Sequence, residues 1–261
     1  MTLSVLTRAL IGLGLSLAVA APAVADLALV GRSTVLAMGM QGVGKEGVWL
    51  RKTDLRRDLV DRGKAYTHLY DLETREITII DHSQRLAQVY AMTNLREQTG
   101  ARASTSDLRL KITATGRHKP LKSWNCAEHK LEVDMPARIG DEQVSFEMVG
   151  EVWLARDTPE QKETAAFVKA AENPDFFMGI PALAKSSPAQ ARGISEVVRR
   201  LAPLGLLCSV DVETRYQGGG RMAELSRKMN SRISLHYENF STQTLPENLF
   251  GIPQGYRVTR Q

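Results

Sequence analysis

The chain is poor in cysteine, with only Cys126 and Cys208 among 261 residues. That excludes a disulfide-stapled miniature scaffold and the paired CxxC type of zinc site. Aromatic residues make up 6%. None interleaves with Arg51, Lys52, Arg56, Arg57 and Arg62, so that basic stretch offers no stacking platform for nucleic acid and reads as a solvated sheet face. Neither sign of charge dominates. Lys and Arg number 34 against 29 Asp and Glu, a net +5 with a pI near 9.3, too diffuse for a nucleic-acid patch. Past residue 21 no apolar run approaches the roughly 20 residues that a bilayer requires. His68, His82, His118, His129 and His236 show no HExxH or HxH spacing, and GxSxG and SxxK are absent. Neither a metal, a cofactor nor a catalytic residue is therefore assigned. What remains is ordinary globular material, 43% hydrophobic and 24% charged, neither fibrous nor disordered.

Met1 to Ala25 has the form of a secretory signal peptide. Arg8 is its one charge. Ala9 to Ala21 is an uninterrupted small and apolar run, Pro22 breaks it, and Ala23-Val24-Ala25 supplies small residues before a cleavage point. The expectation is a periplasmic protein running from Asp26 to Gln261. Outside the cytoplasm thiols oxidise, so Cys126 and Cys208 either pair with each other or stay as two buried thiols.

From Leu27 to Glu151 the pattern has period two, broken at hairpin intervals. Ala28 to Met40 and Gly47 to Leu59 read as two strands around a Gly-rich turn. Lys64–Tyr70, Arg75–Ile80 and Arg85–Met92 form an antiparallel meander. Asn94 to Ser106 reads as a loop, and Leu108–Thr115, Lys130–Met135 and Val144–Leu154 as further strands. The texture changes at Thr158, where Pro159 opens a helical start. Ala-rich sequence punctuated by Pro174, Pro181, Pro188 and Pro203 then predicts several short helices over 158–204. Cys208 to Tyr216 alternates again, and Arg221 to Phe240 fits either helix or strand. The expectation is one α+β domain over 26–261, an antiparallel sheet with a late helical insertion.

Two segments carry candidate chemistry. Gly39-Met-Gln-Gly-Val-Gly44-Lys45 matches the glycine and lysine spacing of a phosphate loop. It has Glu46 where a hydroxyl should meet magnesium, and its context is strand–turn–strand, so it reads as a turn. Phe176-Phe177-Met178-Gly179-Ile180-Pro181 is an apolar cluster bounded by prolines. It either packs in the core or lines an apolar pocket against the sheet, and with Trp153 and Leu50 it forms the candidate ligand-binding set. On the pocket reading, Phe177→Asp blocks ligand uptake without unfolding.

Four passages carry a resemblance: Gly47–Arg51, Ile79-Ile-Asp81 with Gln84–Tyr90, Glu151–Asp157, and Leu245-Pro-Glu-Asn-Leu-Phe-Gly-Ile-Pro-Gln-Gly-Tyr256. On these the chain resembles a group of exported bacterial proteins related to periplasmic lipoprotein carriers of the Lol type. The resemblance implies a curved, half-open antiparallel barrel with helices plugging its concave face, and no catalytic residues. It implies a lipid or a lipoprotein acyl chain as ligand, without nucleic acid and without a membrane span in the mature chain. An envelope interaction module without a small ligand is the alternative, and an exported hydrolase a more distant one.

Overall fold

The computed structural model describes residues 26–37, 39–61, 63–100, 108–139 and 141–261. The signal-peptide segment lies outside the described residues. Twelve strands form one open sheet in the order β12-β6-β5-β4-β3-β2-β1-β11-β10-β9-β8-β7. They are β1 (Asp26–Ala37), β2 (Met40–Arg51), β3 (Asp54–Asp61), β4 (Lys64–Asp71), β5 (Glu76–Asp81), β6 (Leu86–Ala91), β7 (Arg109–Leu121), β8 (Trp124–Ile139), β9 (Glu142–Ala155), β10 (Leu206–Gly218), β11 (Ser231–Gln243) and β12 (Arg257–Arg260). Every ladder is antiparallel except β12 on β6, which makes the sheet mixed rather than purely antiparallel.

Several boundaries differ from the sequence reading. The expected strand from Gly47 to Leu59 is two strands, β2 and β3, which turn at Lys52 with φ of 53°. The presumed Gly-rich turn is mostly strand, because Met40 to Lys45 belong to β2 and pair with β1. The expected loop from Asn94 begins instead inside helix α1 (Met92–Gly100), whose Leu95 and Thr99 are buried; positions 101–107 lie outside the described residues. Between β9 and β10 stand α2 (Ala165–Ala171), α3 (Leu183–Ser186) and α4 (Pro188–Leu201), with single 3-10 turns at Pro159–Lys162 and Ala202–Leu204. The ambiguous stretch after Gly220 is both things in turn, α5 (Arg221–Arg227) and then β11. Among the described residues no helix is long and apolar enough to cross a membrane.

The sheet is strongly curled. Strands spaced about 4.8 Å apart would put β8 and β11 about 14 Å apart if flat, yet the Trp124 and Phe240 rings stack at 3.9 Å between centroids. Cys126 on β8 and Cys208 on β10 are disulfide-bonded across the intervening β9, with Cα atoms 6.4 Å apart. The β10 register slips between Leu207 and Ser209. Cys208 is thus the extra residue of a bulge, the device that bends a strand and sharpens its twist.

The helices lie on the inner face of this curl. The apolar cluster that joins Leu27, Leu29, Val48 and Leu50 of the sheet also contains Phe167, Phe176, Phe177, Met178 and Ala191 of the insertion. α4 seats on β8 and β9 through Gly193, where a Cβ would stand 2.7 Å from the Phe146 ring. The outer face of β4 to β6 has its own cover, since Leu69, Ile80 and Ala87 pack against Ile252 and Tyr256. That covering segment is tied down by Arg56, which donates to the Leu249 carbonyl at 2.7 Å, and by the Tyr256 hydroxyl, 2.9 Å from His82 Nδ1.

The disulfide closes a loop of 82 residues, so in the chain-entropy account it stabilises the fold by about 4 kcal/mol. Cys126→Ser with Cys208→Ser should lower the thermal midpoint by many degrees, and reductant should shift the wild-type protein but not the double variant. Calorimetry with and without reductant checks this.

Candidate functional site

Strand alternation decides what faces the helices. Glu46, Val48 and Leu50 of β2 register with Leu59, Arg57 and Leu55 of β3, and these with Tyr66, His68 and Tyr70 of β4. All nine share the inner face. Most are apolar, as a covered face requires, but a polar group sits among them. Arg57 Nε and Nη2 donate to Glu46 at 2.7 and 3.0 Å, a bidentate pair whose carboxylate side chain is 1% exposed. Burial opposes the charge on Arg57, and the adjacent Glu46 carboxylate more than restores it, leaving the guanidinium harder to deprotonate than usual. Burial raises the phenols of Tyr70 and Tyr237 above their ordinary range. His68 is held neutral, its pKa driven down to about 3 by burial and then by the Arg57 charge; its Nδ1 has no hydrogen-bond partner.

The apolar cover over this face is an irregular segment. Residues 173–182 run between α2 and α3 without helix or strand. Within it Phe176, Phe177 and Met178 are 5%, 0% and 4% exposed. A buried irregular backbone must find side-chain partners. The Tyr70 hydroxyl donates to the Gly179 carbonyl at 3.0 Å, and the Met178 amide donates to Ser195 Oγ at 2.7 Å.

Of the expected ligand-binding residues, Leu50, Phe176, Phe177 and Met178 therefore meet in one cluster, with Trp153 packed at its border. Trp153 is half-buried with the Lys119 ammonium 4.3 Å from its ring centroid. Ile180 is half-buried and stands outside that cluster. The cluster is packed rather than open. A surface depression of about 260 Å³ is found elsewhere, between the β2–β3 turn and the C-terminal segment. It is lined by Arg51, Asp54, Tyr70, Asp71, Glu247 and Phe250 and is polar.

The histidines fall on different elements. His82 bonds Thr67 and Tyr256, His129 lies beside the Ala127 carbonyl, and His236 pairs with Asp211. Among the described residues no three His, Cys, Asp or Glu side chains converge as metal ligands. The basic stretch divides between faces. Arg57 goes inward, while Arg56 goes outward over the Trp49 ring and under the C-terminal segment. Alternation alone separates neighbours 56 and 57, and that was the available signal: the acid at 46 leads the apolar row Val48 and Leu50, and the base at 57 lies between Leu55 and Leu59.

No protein-family model and no curated protein matches the chain. Among solved structures it is similar to PNGF-II, at 8% identity and a TM-score of 0.35 over 91% of this chain. This chain spans only 31% of that one. It is also similar to a DUF1329 family protein from Desulfovibrio piger, at 12% identity and a TM-score of 0.30 over 86% of this chain and 89% of the other. A LolA superfamily protein from Nitrosomonas europaea follows, at 8% identity and 0.27 over 87% and 89%. Likenesses this weak carry nothing about activity.

Because His68 titrates near 3 in the folded protein and near 6.5 when unfolded, the unfolded chain binds more protons between those values. The His68 contribution to stability is therefore complete above pH 6.5 and is lost as pH drops towards 3. His68 accounts for a loss of about 2 kcal/mol between pH 7 and pH 5. Denaturant unfolding at the two pH values should show this loss in the wild-type protein and a shallower one in His68→Leu.

Proposed function

We propose that the protein binds a hydrophobic ligand, a lipid or a lipoprotein acyl chain, without catalysis, in the periplasm after removal of residues 1–25. The carrying observation is the cover itself. Beside α4, the inner face of a curled sheet is closed over Leu27, Leu29, Val48 and Leu50 by an irregular tongue, Phe176 to Met178, that belongs to no strand and no helix. Leaving the sheet breaks none of the strand ladders. Gly179 lets the tongue pack closely on Phe177 and the Ala191 carbonyl, where a Cβ would meet them at 2.9 and 3.0 Å. The sequence resemblance to lipoprotein carriers supports the same reading.

Energetics set the ligand's size. Exposing two Phe and one Met costs about 1.5–3 kcal/mol each, and an acyl chain returns about 0.8 kcal/mol per methylene. A chain must therefore exceed roughly 6–11 methylenes before exchange is favourable. Phe177→Asp, expected from sequence to leave the fold intact, is a poor test, since a side chain that is 0% exposed would place an unpaired charge in the core.

Displacement of a fluorescent fatty acid tests the exchange. Palmitate-length chains should bind saturably and octanoate should not. Tyr70→Phe strands the Gly179 carbonyl in the closed form, costing it about 1–3 kcal/mol, and should tighten binding by about 5-fold to 150-fold. Affinity that ignores chain length, or no saturable binding by either protein, would overturn the proposal.

A further inference from the structure

The glycine-rich segment that mimics a phosphate loop has a different use. β1 and β2 form a hairpin turning at Gly39. Among the described residues the β2–β3 ladder begins at Glu46, and Gly44 still lies against Val60 of β3, so Met40 to Val43 reach past that ladder. Ser33 to Gly44 holds no charged residue. Register puts Val35 and Met40 on one face of the hairpin and Leu36 and Val43 on the other. All four are exposed, at 39%, 50%, 45% and 62%. Just below this tip the chemistry changes. Lys45 stands opposite Arg32, and Arg232 of β11 opposite Leu36. Ala37 registers with Ser231, so α5 lies at this same end, presenting exposed Leu225 with Arg221, Arg227 and Lys228. Arg32, Lys45, Arg221, Arg227, Lys228 and Arg232 outnumber the acids at this end, which are Glu224, Glu142 under the first amides of α5, the Glu238 partner of Arg32 and the Glu213 partner of Arg232.

We infer that the β1–β2 hairpin tip inserts shallowly into an anionic phospholipid surface. A flat protein partner covers one face of a hairpin; a medium that must solvate both apolar faces at once is the acyl boundary of a bilayer. The depth agrees. Lys45 is two residues from Val43, or about 7 Å along a strand, which places its ammonium at the headgroups when the tip reaches the 5–10 Å depth of interfacial insertion. The cations then meet lipid phosphates and the apolar tip meets the upper acyl chains. This docking stands apart from acyl-chain binding under the helical cover, and each can fail without the other.

Flotation of the purified protein with vesicles of phosphatidylcholine, alone or mixed with phosphatidylglycerol, tests it. Wild-type protein should float with the anionic vesicles, and less so as salt rises. Met40→Asp and Val43→Asp lie on opposite faces, and each alone should weaken flotation by about tenfold. Lys45→Glu with Arg232→Glu should abolish the preference for anionic lipid. All these positions are exposed, so thermal midpoints and fatty-acid displacement should stay at wild-type values. Failure of the wild-type protein to float with either vesicle overturns the inference. So does sensitivity to only one of the two apolar positions, the mark of a one-sided protein contact such as strand addition along β2.

Discussion

The curl of the sheet is the constraint from which the rest follows. Bringing Trp124 of β8 onto Phe240 of β11 turns a flat array into a trough. The walls of a trough shed water on the inside, so the residues there must be apolar or paired. The Cys126–Cys208 bridge over β9 and the bulge at Cys208 hold the bend where three strands meet most tightly. The helical insertion leaves the sheet directly after β9 and returns as β10, and is thereby anchored at both ends beside that clamp.

A trough has two surfaces, and this chain covers both over its first half. Helices and the Phe176–Met178 tongue occupy the inside, and the C-terminal segment crosses the outside of β4 to β6. The inner charged pair of Glu46 and Arg57 belongs to this arrangement. A buried ion pair contributes little net stability, because desolvating both charges offsets their attraction, yet losing one partner costs several kcal/mol. With His68 neutral beside it, the pair makes the centre of the inner face intolerant of any register but the observed one, since a slip by one residue would drive both charges to the other side.

Much of this was legible in the residues. Alternation outlined nine strands, one of them covering parts of both β2 and β3, and the proline-punctuated Ala-rich run marked the helical insertion. What escaped notice has physical causes. Turns at Lys52 and Lys122 adopt positive φ on side chains that rarely do so, so no glycine or asparagine announced them and β2 with β3 read as one strand. α1 looked like loop because its polar sequence shows only a weak apolar stripe; Met92 and Leu95 are buried by contact with other helices, not by local preference. β12 pairs in parallel with β6 across some 170 residues of chain, a partnership that no local pattern encodes. Of the site, the Phe176 cluster was visible as an apolar island, whereas the Glu46–Arg57–His68 group was hidden among ordinary surface charges until alternation was applied face by face.

The order of strands also dictates when the molecule can become itself. β1 lies between β2 and β11, and Asp26 receives the Leu245 amide at 2.7 Å. The two halves of the sheet are therefore joined by a strand that is among the last to be made. Until residues 231–243 are available, the first meander has an open edge at β1 and a bare outer face, and the second half has nothing to close against. Contacts of such sequence separation form slowly, after local ones. A chain built this way stays unfinished until its last segment arrives, so its shape is a property of the whole polymer and of no leading part of it.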